Sequence, residues 1–206
     1  SAAVAAVLVV EAHPVAGEIA RTTGARIARN WRHRWSTERR LARIFDASAF
    51  EAIEAAIAEG ERMHRAELRF ALEADLDLFE LIRDRNARER AMTVFAEHGI
   101  WDTEENSGVL IYLLWADRAV EIIADRGVEA LAPDGLWQRC CDSIVAGCSH
   151  AEARSLTNEA GPNEAGLQPA VATVIEAIRE INRVLARSMP ANSDNPDELP
   201  NRPISL

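Results

Sequence analysis

Oxygen-bearing side chains stand close together in two short stretches of this sequence, Asp102-Thr103-Glu104-Glu105-Asn106 and Asp125-Arg126, with Asp134 a few positions on. Carboxylates and carboxamides at alternate loop positions suit hard divalent cations, which take oxygen ligands. Asp102, Glu104, Asn106, Asp125 and Asp134 are therefore the candidate ligands for Ca²⁺ or Mg²⁺. Used catalytically, such an ion holds phosphate oxygens and lowers the pKa of a bound water. Asp102 and Asp125 would then serve the reacting centre, with Arg126 on the transition-state charge. The spacing Asp102-x-Glu104-x-Asn106 opens like an EF-hand loop, but the glycine arrives at 108, Leu113 holds the twelfth position and no helix follows, which excludes that motif. The alternative is a solvated acidic loop in which Asp102 or Asn106 bonds its own backbone.

Two further spacings carry less. Glu61-x-x-His64 is half of a carboxylate-bridged di-iron pattern, and no second copy exists in the chain. His64 then reads as a polar contact at a helix-to-strand turn. Cys148-x5-Arg154-Ser155 has the spacing of a cysteine-phosphatase loop, but the intervening Ser-His-Ala-Glu-Ala holds an acid and no glycine to aim backbone N–H groups at a phosphate. Cys140, Cys141 and Cys148 form neither a disulfide framework nor a zinc knuckle. They read as buried thiols.

The elements that must position the acidic stretches follow from periodicity. Ser48-x-x-Glu51 predicts a capping box ahead of a helix with Phe50, Ile53, Ala56, Ile57 and Met63 on one face. Leu68, Phe70 and Leu72 alternate with Glu67, Arg69, Ala71 and Glu73, which predicts a strand with one face buried. Asn86-x-x-Glu89 caps a second helix. Val109–Trp115 is a continuous apolar run, the mark of a strand covered on both faces, and Val120 and Ile122 follow in a third strand that closes a hairpin. Pro133 and Pro169 open two more helices, separated by a loop over 149–167. A helical crossover makes the first two strands parallel. On that topology the starts of strands one and two and the end of strand three share one end of the sheet, gathering 102–106, 125–126, His64 and Glu67 there. Open α/β sheets usually bind ligands at the opposite, carboxyl ends.

With these elements in view, Ala66–Glu73, Ala87–Ala91, Trp101–Tyr112 and Ala116–Gly127 resemble the TPM-domain family, which includes thylakoid-lumen proteins and short bacterial members and is often labelled a phosphatase. The resemblance spans about residues 47–148 and, more loosely, the last helix. It implies an α/β/α sandwich on a small mixed sheet, with divalent-metal binding and phosphatase activity associated with some members. The 149–167 loop is longer and more polar than the family's link, and the first 25 residues have no counterpart.

Composition bounds the partners. The 206 residues carry 33 acids against 23 bases, a net −10, and every base is arginine. Residues 1–45 are net basic and the remainder carries −15. An acidic body repels a phosphate backbone, which argues against nucleic acid and for a cation. The chain divides into a basic helical extension over 1–45, an α/β domain over 46–188 and an irregular tail over 189–206 rich in proline. Within the extension, Ile27, Trp31 and Trp35 stand at four-residue steps among arginines, suited either to a peripheral membrane contact or to docking on the acidic body. That membrane-adaptor role, or a non-enzymatic binding module with a protein partner left open, is the alternative function. The cysteine usage fits the cytoplasm, and the apolar stretch 2–10 leaves a periplasmic or membrane-peripheral location open if a signal precedes it.

Overall fold

Two strands that pair along their whole length organise the molecule: β1 (Glu67–Glu73) runs parallel to β2 (Gly108–Leu114), in register from Glu67↔Gly108 to Glu73↔Leu114. β2 turns back through Trp115–Arg118 into antiparallel β3 (Ala119–Ala124). A computed structural model describes residues 38–76, 86–156, 168–192 and 198–206, with the backbone alone at 152–156, and all of these lie in the unit Thr37–Leu206. The helices are α1 (Ala47–Glu61), α2 (Ala87–Glu97), α3 (Arg126–Glu129), α4 (Leu136–Leu156) and α5 (Pro169–Ser188), and a short β4 (Ile204–Ser205) completes the sheet order β3-β2-β1-β4.

The sheet divides the apolar residues into two cores. Leu68, Phe70, Leu72, Val109, Ile111 and Leu113 face α1, α4 and α5, whereas Ala71, Leu110, Tyr112 and Leu114 face α2 and Ile204. This is the α/β/α sandwich on a small mixed sheet that the sequence implied. Residues 38–44 are helical and bury Leu41 and Ile44 in the first core, so the core begins before residue 46. Phe45 follows, stacking on Phe70 with centroids 6.2 Å apart and meeting Trp115 edge-on at 6.0 Å. The Arg/Trp stretch before residue 38 lies outside the described residues, as does 157–167 of the expected loop.

Four expectations are corrected. The N-cap of α1 is Asp46, whose Oδ1 accepts from the Ala49 N–H at 2.9 Å and the Ser48 hydroxyl at 2.7 Å, so Ser48 is already inside the helix. α4 continues to Leu156, through the first part of the expected 149–167 loop. The C-terminal segment is not wholly irregular: β4 pairs parallel with β1 at Ala71↔Ile204 and Leu72↔Ser205. β4 covers part of the outer edge of β1 and α2 packs on its second face, so β1 is an interior strand buried on both faces rather than one.

That burial puts Glu67, Arg69 and Glu73 inside. Glu73 accepts from Tyr112 Oη at 2.6 Å and from Arg90 Nε at 2.9 Å. Glu67 Oε2 accepts from the Leu199 N–H at 3.1 Å. The Leu68 N–H lies beyond the reach of two-residue β4, and Glu61 Oε1 accepts its bond at 2.9 Å in place of a strand. Arg69 is held between the charges of Glu61 and Glu67, which oppose the downward push of burial on its pKa.

On the other face a carboxamide joins α5 to α1. Asn182 Nδ2 donates to the Ala56 carbonyl at 3.1 Å, and Asn182 Oδ1 bonds His64 Nε2 at 3.0 Å. Gly60 is what admits it: a Cβ there would lie 2.0 Å from Asn182 Nδ2. Helix propensity alone makes Gly60→Ala stabilising by about 1 kcal/mol. The buried amide reverses the sign, and urea unfolding should show a loss of about 1–3 kcal/mol, the usual magnitude of overpacking.

Candidate functional site

The loop from α2 to β2 is folded on itself before it meets its neighbours. The Asp102 N–H donates to the Gly99 carbonyl at 2.9 Å, the Asn106 N–H to the Thr103 carbonyl at 3.2 Å and the Ser107 N–H to Thr103 Oγ1 at 2.8 Å. Asn106 takes φ +53°, a left-handed conformation that asparagine tolerates better than most residues. These bonds leave Thr103 and Ser107 buried and Asp102, Glu104, Glu105 and Asn106 exposed.

Two segments converge on this loop, as the topology predicts. The Glu67 N–H donates to the Ser107 carbonyl at 3.1 Å, the Asp125 N–H to the Gly108 carbonyl at 2.8 Å and the Gly127 N–H to the Asn106 carbonyl at 3.0 Å. Gly127 is required by this approach, since a Cβ there would lie 2.4 Å from the Glu105 carbonyl oxygen and 2.7 Å from that of Asn106. Arg65 pairs with Glu105 across the loop ends. A contributor that the sequence did not flag is Glu198, whose Oε2 accepts from the Glu104 N–H at 2.9 Å. It stands in the proline-rich segment, where no periodicity marks it.

The side chains are less convergent than the backbone. Asp125 is the N-cap of α3 and commits Oδ1 to the Arg126 N–H at 2.7 Å. Arg126 itself is exposed. Asp134 is exposed in the turn before α4, its carbonyl accepting from Arg139 at 3.2 Å. His64 and Glu67, expected beside the loop, are turned inward onto Asn182 and Leu199. Among the described residues no three His, Cys, Asp or Glu side chains form a group able to hold a metal ion. Asp102, Glu104, Asn106, Asp125 and Asp134 thus do not make one closed coordination sphere.

The cysteines are placed for packing. Cys148 and Arg154 both lie within α4, so their spacing is helical and not that of a phosphate loop. Burial pushes the Cys140 thiol up to about 11 and the Cys141 thiol to about 12, with Glu180 and Glu121 adding to the respective shifts. Neither is a thiolate nucleophile near neutral pH. No helix among the described residues is long and apolar enough to cross a membrane.

Comparison with known proteins bears on the fold and the family. The family model of the TPM domain matches residues 39–149, just over half of the chain. Among solved structures the chain is similar to the NMR structure of BA42 protein from the psychrophilic bacterium Bizionia argentinensis, at 24% identity and a TM-score of 0.61. The likeness covers 78% of this chain and 94% of that one, and at this identity it speaks to the fold alone. No curated protein sequence matches the chain.

The His64 environment has a measurable consequence. Burial lowers its pKa below the ordinary imidazole value of about 6.5, and the Asn182 bond only partly restores it. The unfolded chain therefore binds the proton more readily than the folded one. His64's contribution to stability is complete above about pH 6.5 and falls away as the pH drops toward the depressed folded value. Thermal melts should show a lower midpoint at about pH 5.5 than at about pH 7.5, and His64→Gln should shrink that difference.

Proposed function

The chain belongs to the TPM-domain family, and on that premise we propose that it binds a partly hydrated divalent cation, Ca²⁺ or Mg²⁺, on the paired loops 102–106 and 125–127. The observation that carries this reading is the close approach at Gly127, which holds the backbone of Glu105 and Asn106, in the loop whose acids are exposed, against the segment bearing Asp125. Asp125 keeps Oδ2 available after capping α3 with Oδ1. Glu198 adds a carboxylate against the same loop. A chain of net charge −10 attracts cations, and an ion held on the loop would offset the repulsion among its acids.

When bound, the ion would supply a Lewis-acidic charge able to orient a phosphate or a partner's carboxylate. The chain's own residues favour binding over turnover. Asp125 is engaged as a cap and Arg126 is exposed with its N–H directed to Asp125, so neither is set as a buried catalytic group. A metal-assisted phosphomonoesterase is the second reading, supported by the family relationship alone.

Calorimetric titration and thermal melts with Ca²⁺ or Mg²⁺ at fixed ionic strength test the cation. Binding should raise stability by about 2.7 kcal/mol at a hundredfold excess over the dissociation constant. Asp102→Asn and Asp125→Asn should each weaken the response, the second without losing the α3 cap, because asparagine caps as well as aspartate. Gly127→Ala should weaken it by parting the loops, and Cys148→Ser should leave it unchanged. A flat response to both ions refutes the site. Phosphate release from a chromogenic phosphomonoester that appears with the ion and disappears in Asp102→Asn would establish the enzymatic reading.

A further inference from the structure

β4 has one partner strand, and its outer edge is open among the described residues. Leu206 donates its N–H to the Leu72 carbonyl at 3.0 Å, and backbone groups alternate in direction along a strand, so the Ser205 N–H and C=O point away from β1. Beside this edge lies a groove of about 410 Å³. One wall is a stripe of α1 carrying Phe50, Glu51 and Glu54, and the other is Arg202, Pro203 and Ser205. Half-buried Phe50 supplies apolar surface, and neither Glu51 nor Glu54 forms a salt bridge among the described residues.

We propose that this groove takes an extended, basic segment of a partner protein, added as a strand beside β4. The Ser205 amide and carbonyl supply main-chain hydrogen bonds, which give strand addition its affinity, and alternate side chains of the segment drop into the adjacent pocket. There the stem of an arginine or lysine lies along Phe50 while its charge meets Glu51 and Glu54. Pro203 has no N–H, which confines the added pairing to a short register and protects the edge from indiscriminate sheet growth. Arg202 disfavours a second cation at its own end of the groove and so restricts where the basic side chain sits. This surface involves none of the residues proposed for the cation.

The probe is a fluorescein-labelled hexapeptide of alternating valine and arginine, titrated with the full chain by fluorescence anisotropy. Saturable binding is expected, weakening with salt. Ser205→Pro removes the outward N–H while sparing the Leu206 bond to β1, and it should abolish binding with the melting temperature unchanged. Glu51→Gln with Glu54→Gln, both on the surface, should weaken binding at least tenfold and remove most of its salt dependence. Arg202→Gln should strengthen it. Absence of binding at millimolar chain, binding indifferent to Ser205→Pro or to the paired glutamine changes, or tighter binding of the matching valine–aspartate hexapeptide would overturn the proposal.

Discussion

A strand that carries Glu67, Arg69 and Glu73 and is buried on both faces must find partners for its charges, and the fold is organised around satisfying β1. An unpaired buried charge is far more expensive than a lost surface contact. The two carboxylates tie β1 to different neighbours, and Arg69 is compensated by charge alone, its Nη1 buried without a hydrogen-bond partner among the described residues. Glu73 reaches Tyr112 of β2 and Arg90 of α2, Glu67 reaches Leu199 of the C-terminal segment, and Arg69 lies in the field of Glu61 at the end of α1. Apolar burial supplies most of the driving force on both faces. The charged positions decide which neighbours are acceptable and in what register, because hydrogen bonds are directional where hydrophobic contact is not.

Most of the architecture was legible for reasons that can be named. The change of period at Leu68, the apolar run Val109–Trp115 and the Asn86/Glu89 capping box each encode local structure in adjacent residues, and each marks an element that the fold contains, although β1 is buried on both faces and not one. Two of the errors arise where a distant segment intervenes. The alternation in β1 looks half-exposed because polar residues usually face water, and only the arrival of Ile204–Ser205 and α2 makes that face interior. Asn182 lies within the apolar stripe of α5, three positions before Leu185, and Gly60 lies in the last turn of α1, and neither periodicity nor capping marks the pair. What could not be read is that each exists for the other, since their contact joins residues brought together only by tertiary packing.

The acidic end of the sheet divides in the same way. Its position follows from strand direction, and strand direction was deducible from crossover geometry. The disposition of its side chains depends on whether a carboxylate is already engaged by its own backbone, and aspartate serves equally well as a cap or as a ligand. Asp125 proves to be a cap, and His64 and Glu67 turn inward because the packing of α5 and of residue 199 offers them partners there. Sequence spacing locates oxygen atoms along the chain but does not say which of them remain uncommitted.

The covering of β1 by the C-terminal segment also bears on the order in which the molecule assembles. Glu67 and Leu199 are 132 positions apart, whereas β2 and β3 meet across a tight turn. Closing a long loop forfeits chain entropy before any contact repays it, so local pairings form early and distant ones late. The hairpin and its parallel partner β1 can come together while the outer edge of β1 is still bare. For that interval a strand destined for the interior presents unmatched backbone groups and uncompensated charges to its surroundings. The molecule is then most exposed to mispairing with another copy of itself, and the concentration at which refolding is attempted will govern yield more strongly than its final stability does.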